Sequence, residues 1–95
     1  MTPETKLKLS IQKYLKTLGP DLWQFKVHGS AFQMAGVPDF VGCYRGKFIG
    51  IEGKSEKGKL SDKQVHEIDR IRKAGGAVCV AYSLEQVKGF MEAIE

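Results

Sequence analysis

The sequence predicts a mixed α/β fold (α+β type) in which one mixed four-stranded sheet is flanked by helices. Three observations support this class: an amphipathic first segment, two apolar runs separated by a tight-turn pair, and a continuous apolar run between two further helical patterns. The expected order of elements is α, β, β, β, α, β, α. The last strand should join the sheet in parallel through a right-handed crossover.

The composition is that of one small globular domain covering residues 1–95. With 95 residues, of which 42% are hydrophobic, the chain can form a single modest core. It carries 15 Lys and Arg against 11 Asp and Glu, a net charge of +4. This charge favours a polyanionic partner such as DNA, although it is equally compatible with a role in solubility alone.

The cysteines and the hydropathy pattern indicate the compartment. Cys43 and Cys79 lie in apolar, strand-like runs without metal-binding spacing, so we expect two buried free thiols in a reducing compartment. No apolar stretch approaches membrane-spanning length, and the N-terminus shows no signal-peptide core. A cytoplasmic protein that binds no membrane is therefore expected.

The first helix is expected from about Pro3 to Leu18. Thr2 suits the N-cap, proline suits the first helical position, and Gly19-Pro20 ends the pattern. The apolar residues at helical spacing predict its buried stripe: Leu7, Ile11, Tyr14, Leu15 and Leu18. Glu4 lies at the N-terminal end of this stripe, whereas Lys6, Lys8, Lys13 and Lys16 point outward. Glu4 either stabilises the helix dipole only or reaches a functional site.

The first strand and the loop after it follow. The segment Leu22–Val27 alternates, with Trp23, Phe25 and Val27 on one face. The next loop contains Phe32, which either stacks on an unpaired base or covers the edge of the core.

Residues 36–54 are predicted to form a β-hairpin that carries the functional site. Arg45-Gly46 separates two apolar runs, strands 38–44 and 47–53, as in a two-residue turn. With this turn, Asp39 directly faces Glu52 across the hairpin. Two carboxylates at that distance repel each other unless one is protonated or a cation lies between them. Lys54 projects from the same face as Glu52 because side chains alternate along a strand.

Two carboxylates and an ammonium group on one sheet face predict a metal site with a positively charged side chain beside it. Gly50, on the same strand as Glu52, is expected to leave room there for an ion, a water or a phosphate oxygen. The plainer alternative is a Pro-Asp turn followed by a strand that ends in solvated charges.

The second helix has strong start signals. Ser61 and Gln64 have the spacing of a capping box, and Leu60 with Val65 that of a hydrophobic staple. Its buried stripe is predicted to contain Val65, Ile68, Ile71 and Ala74. Gln64 therefore has two interpretations, a cap or a group that positions water or DNA backbone.

The loop before this helix is polar and basic. Lys57 and Lys59, together with Lys63, are within reach of a phosphodiester bound at Glu52, although such loops are usually only solvated. After the helix, Ala77–Tyr82 predicts a strand covered on both faces. A last helix begins near Ser83, and its apolar residues suit either core or subunit interface: Val87, Phe90, Met91 and Ile94.

These residues resemble the PD-(D/E)xK nuclease signature in the form found in the virus-type replication-repair nuclease (VRR-Nuc) family. The resemblance rests on Gly36–Asp39, Ile51–Lys54 and Gln64 and extends to about Tyr82. The chain departs from the family at Gly53, where a β-branched or apolar residue is more usual. The resemblance implies a restriction-endonuclease-like core with the order αβββαβ(α).

The implied activity is metal-dependent hydrolysis of phosphodiesters in DNA, leaving a 5′-phosphate. Asp39, Glu52, Lys54 and Gln64 would be catalytic. The expected ligands of Mg²⁺ or Mn²⁺ are Glu4, Asp39, Glu52 and the backbone carbonyl of Gly53. No small-molecule cofactor is expected.

Family members that stand alone are associated with homodimers that resolve four-way DNA junctions. The chain resembles such a phage-type member, so a homodimeric Holliday junction resolvase is expected. A less selective flap or single-strand DNase or nickase would use the same residues. A non-catalytic DNA-binding module would need only the lysines and would give no reason to place Asp39 against Glu52.

Overall fold

The computed structural model describes residues 1–28 and 34–94, and its elements follow the predicted order. The helices are α1 (Pro3–Leu15), which a 3-10 turn (Lys16–Leu18) continues, α2 (Asp62–Lys73) and α3 (Leu84–Glu92). The strands are β1 (Leu22–Lys26), β2 (Phe40–Tyr44), β3 (Lys47–Gly53) and β4 (Ala77–Ala81). Within this part of the chain, no helix combines the length and the apolar character needed to cross a bilayer.

The sheet has the mixed topology that the sequence predicts. Its strand order is β1-β2-β3-β4, with antiparallel pairing up to β3 and a parallel pair between β3 and β4. Arg45 and Gly46 both have positive φ, 51° and 84°, as a type I′ hairpin turn requires. Phe40 pairs with Ile51, so the preceding residue, Asp39, faces Glu52. The predicted hairpin register is confirmed.

The core lies between one face of the sheet and helices α1 and α3. Ile49 and Ile51 of β3 are fully buried there, as predicted. The other main core residues come from α1, β2 and α3: Ile11, Leu15, Phe40, Val87, Met91 and Ile94. Because Met91 and Ile94 are buried and Phe90 packs against the core, the apolar side of α3 belongs to the core and leaves little area for a subunit interface.

The opposite face of the sheet is covered only in part. Helix α2 packs on β4 and buries Ile68. Two residues that were predicted to be buried are exposed: Val65 in the first turn of α2 and Ala74 at its C-cap. Cys43 is exposed and Cys79 half-buried, so the prediction of two buried thiols was wrong for Cys43. Alternation along a strand shows which residues share a face, but not how far a helix extends over that face.

Aromatic side chains fill the uncovered part of that face. Trp23, Phe25 and Phe48 are exposed, and Trp23 is 67% exposed. The rings of Trp23 and Phe25 meet edge to face, with their centroids 5.6 Å apart. We call Trp23, Phe25 and Phe48 the aromatic cluster.

Gly36 controls how closely the segment before β2 approaches α2. Its φ is +86°, and a Cβ added there would lie 2.5 Å from the backbone oxygen of Lys63. Gly36→Ala should therefore combine left-handed backbone strain with a backbone clash and lower the free energy of unfolding by about 3–5 kcal/mol. Urea denaturation measures this loss.

Gly46→Ala is the matched control for this substitution. Gly46 has nearly the same φ, +84°, but no atom lies within 4 Å of an added Cβ. Only the backbone strain applies, and a loss of about 1–2 kcal/mol is expected. Equal losses of unfolding free energy in the two variants would show that the close contact with the Lys63 backbone does not restrict the residue at position 36.

Candidate active site

The predicted site residues meet where β2 begins and β3 ends. Asp39 directly precedes β2, and Glu52 is the penultimate residue of β3. Glu52 is only 2% exposed, and its carboxyl group interacts directly with that of Asp39. The hairpin therefore places a buried glutamate against an aspartate whose side chain is partly exposed.

The electrostatics of this pair are unusual. Burial and the neighbouring Asp39 carboxylate raise the pKa of Glu52 to about 8, and Lys54 and Lys8 offset this only in part. With no ion bound, Glu52 is consequently protonated through neutral pH. A proton on Glu52 therefore relieves the repulsion between the two carboxyl groups when no cation is present.

Asp39 is held from three directions. Its Oδ2 accepts a hydrogen bond from the Gly53 N–H at 2.9 Å. Its Oδ1 lies 3.2 Å from the Nζ of Lys8, and its backbone carbonyl accepts a bond from the Val27 N–H at 2.7 Å. The carboxylate is thus oriented before any ligand arrives.

Lys8 is the site residue that the sequence analysis missed. It was placed among the outward lysines of the first helix, yet its side chain is only 21% exposed and contacts both Asp39 and Glu4, each at 3.2 Å. The one available signal was its position four residues after Glu4, the spacing of a helical ion pair.

The structure also brings Glu4 to this end of the sheet. Its Oε2 pairs with Lys8, and its Oε1 accepts a bond from the Ser55 N–H at 3.4 Å. Across residues 1–28 and 34–94, however, no three Asp, Glu, His or Cys side chains are grouped closely enough to hold an ion as they stand. Glu4 lies beside the acidic pair without completing a three-ligand set.

Lys54 directly follows β3, and Gln64 lies in the first turn of α2. The Nζ of Lys54 is 3.9 Å from Oε2 of Glu52, and its backbone N–H bonds to the Ala81 carbonyl at 2.9 Å. Gln64 forms the predicted capping box, since its Oε1 accepts a bond from the Ser61 N–H at 2.8 Å. Because the cap uses this oxygen, the side-chain NH₂ group remains for any second role.

Gly50 does not provide the open space that was expected. A Cβ at Gly50 would lie 3.1 Å from the ring of Pro38 and 3.6 Å from Val78. The proline ring fills this position, so the prediction of room for an ion or a phosphate oxygen at Gly50 was wrong. The glycine instead lets the segment that carries Asp39 pack closely on β3.

The predicted DNA-binding lysines are exposed around the site. Lys57 borders a groove, together with Thr2, Pro3, Glu4, Ser55 and Glu56. Lys59 is exposed in the same loop, and Lys63 is exposed on the first turn of α2. The predicted contact of Phe32 lies outside the residues that the structure describes.

The donor set fits a hard divalent cation. Asp39 and Glu52 offer carboxylate oxygens whose mutual repulsion a dication would relieve, and Glu4 is linked to Asp39 through Lys8. Mg²⁺ and Mn²⁺ prefer such oxygen ligands.

The fold is that of a nuclease-type, DNA-processing domain. The family model of the VRR-NUC domain matches residues 10–85, and the chain belongs to this family.

Solved structures agree with this assignment. One, described as a VRR_NUC domain, is 27% identical, has a TM-score of 0.78 and is matched over 100% of both chains. A second, described as a VRR_NUC domain protein, is 18% identical with a TM-score of 0.70, over 94% of this chain and 84% of the other. Because the second structure is only 18% identical, its similarity supports the fold alone. No curated protein matches the sequence significantly.

Proposed function

We propose that the protein is an Mg²⁺- or Mn²⁺-dependent endodeoxyribonuclease whose preferred substrate is the four-way DNA junction. The observation that carries the proposal is the Asp39–Glu52 pair, in which burial and repulsion raise the pKa of Glu52 to about 8. Such a pair destabilises the folded chain when it is ionised and suits a site that binds a cation.

The residues of the site have distinct roles in this proposal. Asp39, Glu52, Glu4 and the Gly53 carbonyl would hold the ion, which when bound polarises the phosphate and lowers the pKa of an attacking water. The Gly53 N–H fixes the orientation of Asp39. Lys54, near Glu52, would orient that water or stabilise charge that develops on the phosphate. The Gln64 NH₂ group would position water or DNA backbone.

Lys54→Ala tests the proposed role of the lysine. It should lower the single-turnover rate of DNA cleavage by about 10²–10³-fold, because the ammonium acts on charge that develops only in the transition state. DNA affinity should change little. Lys16→Ala, which removes an exposed lysine beyond the end of α1, is the control and should cleave normally. A Lys54→Ala protein as fast as this control would remove Lys54 from the catalytic set.

Cleaving a four-way junction symmetrically requires two sites. Each chain carries one Asp39–Glu52 pair, so a homodimer with two-fold symmetry is the simplest way to supply both. We place the contact between copies at the aromatic cluster, because exposed aromatic residues are enriched at interfaces and the outer edge of β1 can pair with a second chain. DNA contact would involve Lys57, Lys59 and Lys63, as well as Phe32.

Substrate and assembly are tested together with labelled four-way junction, flap and linear duplex DNA in Mg²⁺, Mn²⁺ or EDTA, alongside a solution mass measurement. A dimer that makes paired, symmetric cuts in the junction is expected. Trp23→Ser should yield a monomer that nicks without pairing its cuts. Equal cutting of all three DNAs by a wild-type monomer would favour the less selective DNase, and binding without cleavage would favour a DNA-binding module.

A further inference from the structure

We propose that Lys8 is an internal counter-ion that occupies the ion-binding position in the metal-free protein and withdraws when a divalent cation binds. Lys8 would thereby set the affinity of the site for the ion. This inference rests on the proposed metal-dependent function.

One ammonium group bridges two of the expected ligands. The Nζ of Lys8 lies 3.2 Å from Oε2 of Glu4 and 3.2 Å from Oδ1 of Asp39. These carboxylates come from different parts of the chain, α1 and the residue before β2, and both contact this lysine. An ion that used the same oxygens would repel an ammonium held between them. The two cations therefore exclude each other.

Gly53 makes this position accessible to Lys8. A Cβ built on Gly53 would lie 3.3 Å from Cγ of Lys8 and 3.8 Å from Oδ2 of Asp39. A branched side chain at residue 53 would press on the lysine stem and push its ammonium away from Asp39.

The charges explain why the bridge is replaceable. A single ammonium faces the carboxylates of Glu4 and Asp39, and the carboxyl group of Glu52 interacts with that of Asp39. A dication can balance more of this charge than a lysine can. The groove bordered by Glu4 and Lys57 begins at a partner of Lys8, and we expect the displaced lysine side chain to extend toward it.

The incomplete ligand set is consistent with this view. Glu4 shares its oxygens between Lys8 and the Ser55 N–H, and the described residues contain no group of three ready to hold an ion. If Lys8 were instead a permanent structural bridge, its removal would loosen Glu4 and Asp39 and weaken ion binding. Removing a displaceable counter-ion should raise the affinity of the site for the ion, whereas removing a permanent structural bridge should lower it.

Titration of Lys8→Met with Mn²⁺ by calorimetry distinguishes a displaceable Lys8 from a permanent structural bridge. Methionine keeps most of the stem and removes the charge, so the variant should bind Mn²⁺ about three- to tenfold more tightly than wild type. Lys13→Met removes an exposed lysine from the same helix and should change affinity less than about twofold. Unchanged or weaker binding by Lys8→Met, with wild type binding normally, would overturn the Lys8 proposal alone. If neither protein bound Mn²⁺, the metal-dependent function would fail as well.

A second measurement uses only the wild-type protein. Lysine acetylation by acetic anhydride, followed by mass spectrometry, reports the reactivity of each amine. Without Mg²⁺, Lys8 should react more slowly than the exposed Lys13, and saturating Mg²⁺ should raise the Lys8 rate several-fold while leaving Lys13 unchanged. A Lys8 rate that does not respond to Mg²⁺, in protein shown to bind the ion, would contradict displacement.

Discussion

Glu52→Gln should reduce DNA cleavage by at least about 10³-fold, because the amide cannot supply the anionic oxygen that the ion requires. Glutamine has the shape of the protonated glutamic acid that occupies this position when no ion is bound, so the fold should be retained. Single-turnover cleavage of labelled junction DNA in Mg²⁺ measures the loss.

The matched control is Glu85→Gln. Glu85 is exposed in the first turn of α3 and is not among the charged groups that act on Glu52. This variant makes the same chemical change and should cleave at the wild-type rate. Cleavage by Glu52→Gln within tenfold of Glu85→Gln would show that Glu52 is not part of the catalytic centre.

Ion-free protein should lose stability between about pH 4.5 and pH 8 because of Glu52. Its pKa is raised from 4.5 to about 8 in the folded state. In this window the folded chain retains a proton that the unfolded chain has released, so the free energy of unfolding falls as pH rises. The stabilisation is complete below the unfolded pKa and is lost as pH passes through the folded one. The expected loss is on the order of a few kcal/mol.

Urea denaturation of wild type and Glu52→Gln at pH 5, 6, 7 and 8 in EDTA isolates this contribution. Acidic groups that do not interact with residue 52 titrate alike in both proteins, so the difference between the two curves reports residue 52 and its interaction with Asp39. The glutamine variant should gain stability relative to wild type as pH rises. Parallel curves would mean that Glu52 titrates normally and that the acidic pair is not under electrostatic strain.

The hairpin could be predicted because its geometry is local. Arg45-Gly46 adopts the two positive φ angles of a tight turn, and this turn alone sets the register that brings Asp39 opposite Glu52. The start of α2 was predictable for the same reason, since Ser61 and Gln64 cap each other across one helical turn. Short-range chemistry therefore specified both the acidic pair and the helix beside it.

The errors arose where distant segments pack together. Lys8 lies inside because α1 docks over the end of β3, where Gly53 has no side chain to exclude it. Gly50 is covered because the ring of Pro38 folds onto it, and Cys43 is exposed because α2 covers only part of its sheet face. None of these contacts has a signature in the spacing of nearby residues.

The central claim is that Asp39 and Glu52 jointly bind a divalent cation. Anomalous diffraction from crystals grown with Mn²⁺ tests it most directly, because the scattering locates the metal independently of the protein atoms. The account predicts a peak contacted by carboxylate oxygens of both residues, absent from Glu52→Gln crystals prepared in the same way. No peak at saturating Mn²⁺, or a peak bound away from these two carboxylates, would contradict it.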